Sequence, residues 1–127
     1  MGDLSANFSR REFACKCGCG FDTVDVELLQ VLQDMADHFS DELDRKIMCI
    51  ITSGCRCKKH NRLEGGEDES KHLLAIAADI VVGSVEPIEL FDYFDREYPS
   101  TLGIILYDWG VHVDVRQNKF RGDNSGL

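Results

Sequence analysis

A chain of 127 residues has room for one domain with a single modest core, and not for two. Its formal charge of −9 argues against nucleic acid, whose phosphates need clustered Lys and Arg, and against anionic membrane surfaces. The composition, 43% hydrophobic and 29% charged, is that of a soluble globular protein, and no stretch approaches the ~20 apolar residues of a membrane span.

The start, Met-Gly-Asp-Leu-Ser-Ala-Asn, has neither a basic flank nor an apolar run, so no secretory signal is expected and the chain should stay cytoplasmic until something releases it. Asn7 to Phe13 reads as a short turn capped by Ser9 or Asn7, with Phe8 and Phe13 docking inward. A cysteine-containing segment follows within residues 8–20. From Asp25 to Phe39 the apolar positions Val26, Leu29, Leu32, Ala36 and Phe39 recur every three or four residues, which predicts an amphipathic helix capped by Asp25. His38 near its end reads as a surface residue favoured by the helix dipole.

Ile47 to Thr52 reads as a buried strand that delivers Ser53, Gly54 and Arg56 to its C-terminal end. Residues 58–69 are polar and carry Gly65-Gly66, so they read as a loop after one helical turn, with Glu67-Asp68-Glu69 as solvated surface. Ala77 to Val82 is the next strand. Pro87 opens a second helix, Ile88 to Tyr98, with Leu90, Phe91 and Phe94 inward. Leu102 to Tyr107 and Val111 to Val115 are strands joined by a hairpin turn at Asp108-Trp109-Gly110. The polar tail, residues 118–127, is expected to fray. There is no repeat and no linker, so residues 1–127 read as a single domain of the α+β class, a small antiparallel sheet with helices packed on one side.

Six cysteines are many for this length. Cys49 sits in an apolar strand and reads as an inert buried thiol. Cys15, Cys17, Cys19 and Cys57 could hold a structural metal or form a disulfide, and without a secretory signal the reduced or metal-bound state gains weight.

The chemistry concentrates in two segments, Ser70-Lys71-His72 leading to Asp79, and His112-Val113-Asp114. Two imidazoles and a carboxylate suit a zinc ion that keeps a fourth position open. His72 and Asp79 are seven residues apart, about 10 Å along one helix, so they can share an ion only if the chain bends between them. Val111, Val113 and Val115 alternate with His112 and Asp114, which puts both polar side chains on one face of a strand.

In order and spacing, Ser53-Gly54-Cys55-Arg56, His60-Asn61, Gly65-Gly66, Ser70-x-His72, Ala77-x-Asp79 and His112-x-Asp114 resemble the zinc D-Ala-D-Ala carboxypeptidase family. These are the VanY-like peptidoglycan peptidases, which include phage endolysins. The resemblance runs from about Phe8 to Arg116 and implies a Hedgehog/DD-peptidase-like architecture. It implies a monomeric hydrolase, a Zn2+-dependent metallopeptidase of the cell wall. His72, Asp79 and His112 would be the zinc ligands, and a peptidoglycan stem peptide the substrate, cut by carboxypeptidase or endopeptidase action. Arg56 would contact the substrate carbonyl or carboxylate, and Ser70 would bind substrate or hold the His72 loop. His60 and Asn61 would brace that loop.

The general base stays open. Relatives place an acid three residues before the final His, and that position is Trp109 here. Asp114 is a candidate as base or as orienter of an imidazole, and Asp108 as base or plain turn residue. Two further departures are Cys55, where a Tyr is usual, and Ala75, where a Gly is usual. If residue 75 needs a positive φ, alanine adds strain of about 1 kcal/mol. These departures sustain an alternative: a non-catalytic zinc domain that binds a wall peptide or a partner protein.

Overall fold

A computed structural model describes residues 2–67 and 70–126; the part of the acidic run at 68–69 lies outside the described residues. After a 3-10 turn at Arg10–Phe13 comes the first helix, α1 (Val26–Glu42). Asp25 caps it, its carboxylate accepting the N–H groups of Glu27 and Leu28 at 2.8 and 3.2 Å. The buried stripe is Leu28, Val31, Leu32, Met35, Ala36 and Phe39. Val26, expected on that stripe, is 80% exposed, because it lies about 200° around the helix from Leu28.

Strand β1 (Cys49–Ser53), a short helix α2 (Lys58–Leu63), a 3-10 turn at Lys71–Leu74 and strand β2 (Ala77–Val82) follow. Then come α3 (Pro87–Glu97), β3 (Gly103–Tyr107), β4 (Val111–Asp114) and β5 (Phe120–Asn124). The strands form one sheet in the order β1-β2-β4-β3-β5. Its first four strands pair antiparallel, as expected, but β5 pairs parallel to β3, so the sheet is mixed.

That last strand corrects the expectation of a frayed tail. Nothing in its alternation announces it, because β5 is an edge strand with no buried face. It is held by polar contacts: the Phe120 N–H donates to the Leu102 carbonyl at 3.0 Å. Arg121 donates to Asp95 at 2.7 Å and to the carbonyls of Tyr98 and Leu102, both at 2.8 Å. One guanidinium therefore ties β5 to the Tyr98 carbonyl at the end of α3 and to the loop that follows it.

Paired residues of neighbouring strands share a face, so the register sorts the sheet into two sides. Ala78, Ile80, Ile104, Leu106, Val111 and Val113 enter one core cluster with Leu28, Leu32 and Met35 of α1 and Leu90 and Phe94 of α3. On the opposite side Asp79 pairs with His112, and Ala77 with Asp114. His112 in turn pairs with Ile105, and Asp114 with Gly103. Helices thus cover one face and the other carries the polar residues.

Candidate metal centre

His72 reaches the sheet from the 3-10 turn. The Ser70 hydroxyl caps that turn by accepting the His72 N–H at 3.2 Å. Ala75 ends it in the left-handed region, at φ 59° and ψ 24°. This is the bend that the spacing of His72 and Asp79 required, and it sits at the position where glycine is the low-strain choice.

His72 is 3% exposed, and its Nδ1 donates to the Gly54 carbonyl at 2.6 Å. That bond leaves Nε2 facing Asp79 Oδ1 at 3.3 Å. His112 approaches the same oxygen through Nδ1 at 2.9 Å. Its Nε2 is taken by Asp114 Oδ2 at 2.8 Å. One ligand atom from each of His72, Asp79 and His112 lies within 4.8 Å of the others, a grouping that could hold a metal ion. Each ring has its far nitrogen tied to an oxygen acceptor, which points the near nitrogen inward. Two imidazoles with one carboxylate favour a transition ion over magnesium or calcium.

The electrostatics match this use. Burial disfavours the Asp79 carboxylate, but hydrogen bonds from His112 and His72 outweigh it and hold Asp79 well below the usual carboxylate range. Burial likewise opposes charge on His112, yet Asp114 and Asp79 on its two nitrogens raise its pKa. His112 thus lies between two carboxylates, a negative setting that suits a bound cation.

Residues 6–114 match the family model for Peptidase M15. The chain belongs to this family of zinc D-Ala-D-Ala carboxypeptidases (VanY-like). No curated protein and no solved structure matches.

Within this M15 domain Asp114 sits behind the His112 ring. It is fully buried at 0% exposure. Its two oxygens accept from Arg116 Nε and Nη2, both at 2.7 Å, besides His112. Burial alone would raise its pKa, but Arg116 and His112 together hold it well below the carboxylate range. Both of its oxygens already accept hydrogen bonds and none of its surface is exposed, surroundings that favour the orienting option over the base option. Gly103 makes the pair possible, because a Cβ there would lie 2.5 Å from both Arg116 Nε and Asp114 Oδ2.

Asp108 is exposed on the β3–β4 turn, two residues before the buried Gly110. Trp109, at the position where relatives carry an acid, stacks on Tyr107 with centroids 4.9 Å apart. Arg56 is brought to the centre: Nη2 is 3.4 Å from Asp79 Oδ2, Nε donates to Ser53 Oγ at 3.0 Å, and Nη1 to Asn61 Oδ1 at 3.3 Å. Among the described residues, two of its five N–H groups have no partner. Ser70, an expected substrate contact, is occupied as a cap through its oxygen.

Sequence reasoning missed two positioning residues. Arg116 closes the chain Arg116–Asp114–His112, and its signal was its place two residues past Asp114 on the same strand path. Asn61, 2% exposed, was expected only to brace a loop; it also fixes Arg56, accepting from Nη1 while its amide donates to the Glu67 carbonyl at 2.8 Å. His60 pairs with Glu64 at 3.5 Å along α2.

Proposed function

We propose that this chain is a zinc metallopeptidase hydrolysing peptidoglycan stem peptides at a D-amino-acid bond, released from the cytoplasm to act at the wall as an endolysin does. The observation that carries the reading is the convergence of His72 Nε2, His112 Nδ1 and Asp79 Oδ1 with both far ring nitrogens already bonded. When bound there, zinc supplies Lewis-acid polarisation of the scissile carbonyl and a water of lowered pKa.

The chain's own residues supply the rest. His72, Asp79 and His112 would hold the ion. Arg56 offers its two remaining N–H groups to the substrate oxygen on which charge develops, a task suited to a permanent planar cation. Asp108, the exposed carboxylate on the turn before His112, takes the proton from the attacking water. Ile105 and Tyr107, half-buried on the site face, with Trp109 at its rim, give the peptide an apolar wall.

The test is digestion of purified peptidoglycan with zinc-loaded protein, followed by mass analysis of the released D-alanine or smaller muropeptides. Asp108→Asn should keep its zinc and lose ~10²–10⁴-fold in rate, the usual contribution of a general base. Zinc-loaded protein that binds wall peptide yet releases nothing across several wall chemistries would instead be a binding module. Unchanged turnover in Asp108→Asn would remove Asp108 as the base.

A further inference from the structure

The polar centre on the sheet leaves four cysteines unexplained. Cys15, Cys17 and Cys19 come from the loop after the first 3-10 turn, and Cys57 from the end of the segment that carries Arg56. Forty residues separate Cys17 from Cys57, yet their sulfurs are 3.6 Å apart. Cys15 Sγ lies 3.4 Å from Cys17 Sγ and 3.9 Å from Cys57 Sγ. Cys19 completes the group, with all four sulfurs within 4.8 Å of one another.

Those separations discriminate between the two chemistries open to thiols. A disulfide needs sulfurs about 2.05 Å apart. A zinc ion with four Zn–S bonds of about 2.3 Å sets the sulfurs on the corners of a tetrahedron with edges of about 3.8 Å. The three separations of 3.4, 3.6 and 3.9 Å bracket that edge. All six cysteines are free thiols, and the group selects four of them. Cys55, between the cluster and Gly54, turns its sulfur the other way, donating to the carbonyls of Phe13 and Phe21 at 3.2 and 3.1 Å. Cys49 lies in β1.

The surroundings treat these sulfurs as acceptors. The Cys57 N–H points at Cys15 Sγ at 3.4 Å, and the His60 N–H at Cys57 Sγ at 3.4 Å. Four thiolates around a divalent ion leave a net charge of −2, which lysines adjacent in sequence, Lys16, Lys58 and Lys59, offset.

We propose that Cys15, Cys17, Cys19 and Cys57 form a structural four-thiolate zinc site, separate from the centre on the sheet. Its position gives it a task. Gly54, whose carbonyl orients His72, and Arg56, which meets Asp79, lie in the three residues before Cys57. An ion shared with the loop of Cys15, Cys17 and Cys19 fixes that segment at its far end, while the Cys55 N–H to the Phe13 carbonyl, 3.0 Å, fixes its middle. Gly54 fits because its Cα packs on the Phe13 backbone, where any side chain would collide.

The experiment uses the whole chain purified under reducing conditions, with Zn2+ and Co2+ as probes. Wild type should bind two equivalents of zinc, and the His72→Ala/His112→Ala double variant one. In both, cobalt replacement should give thiolate-to-cobalt charge transfer in the near ultraviolet with intense visible bands of tetrahedral cobalt. Cys57→Ser should lose the charge transfer and one equivalent, while Cys49→Ser should lose neither. The wild-type spectrum stands even where a variant fails to fold. No charge transfer from cobalt-loaded wild type, iron in place of zinc, or two thiols missing on titration in metal-free denaturant would each overturn the site.

Discussion

The two clusters of ligand atoms in this molecule are built in opposite ways. His72, Asp79 and His112 stand on or beside a sheet whose register sets Asp79 opposite His112, and each imidazole has its second nitrogen already bonded. The four cysteines stand on loops, and what brings them together is a short stretch of close backbone approaches rather than a ladder. The geometry of the first centre is set by strand register and by the hydrogen bonds behind both rings. The second leans on its ion, so metal removal should leave the sheet centre shaped and loosen the N-terminal segment.

The largest effect expected on the organised centre comes from removing a ligand. His112→Ala should take its zinc away and drop peptidoglycan hydrolysis to background, with circular dichroism unchanged in the sheet region. A variant that keeps both zinc and turnover would show that the sheet centre is not the active one. Next in size is the support behind His112. Asp114→Asn weakens the acceptor on Nε2, and Gly103→Ala pushes a methyl into the Asp114–Arg116 pair. Each should lower zinc affinity or activity ~10–100-fold, read by competition with a chelator of known affinity. Equal affinity to wild type in both would mean that the sheet alone holds the ring.

How much of this was legible beforehand follows the same division. The centre on the sheet was readable because its signals are periodic: alternating valines place His112 and Asp114 together, and a spacing of seven residues demands a bend. Ala75 supplies that bend at φ 59°. The surroundings of Asp114 were not readable, since base and orienter differ in which oxygens are already occupied, and the contacts with Arg116 and His112 form only in space. Nor was β5, whose residues alternate without any apolar face and whose hold on the sheet rests on Arg121. Val26 was misplaced because a stripe of every third or fourth residue can be drawn through two neighbouring faces of one helix. For the cysteines, spacing along the chain says nothing about the closeness of Cys57 to Cys17.

Two smaller effects sharpen the comparison from the stability side. Ala75→Gly should raise stability by about 1 kcal/mol in denaturant unfolding, since glycine enters the left-handed region without a Cβ penalty. No gain would mean that the turn is strained elsewhere. Arg121→Ala should cost about 0.5–1 kcal/mol by loosening β5 from α3, a modest figure because the Asp95 partner is exposed. The Arg121 hydrogen bond holds the Asp95 carboxyl below its ordinary 3.8. A depressed carboxyl stabilises the fold above its unfolded pKa and loses that contribution as pH falls through its lower folded value. The gap between wild type and Arg121→Ala should therefore be full at pH 5 and narrow below about pH 4. A gap that stayed constant to pH 2 would assign it to the carbonyl contacts of Arg121 alone.

Trp109 is the chain's single tryptophan. It is 43% exposed, stacked on Tyr107, and three residues from His112. All indole fluorescence from this protein therefore originates at one spot, the lip of the sheet centre, partly in water and partly against a phenol ring. A peptide chain settling there would shield the indole and shift its emission to the blue, while events at the cysteine loop would reach it only through the body of the fold. The molecule thus carries a built-in optical gauge for one of its two centres and not for the other, so occupancy of the sheet can be followed in real time without any attached dye.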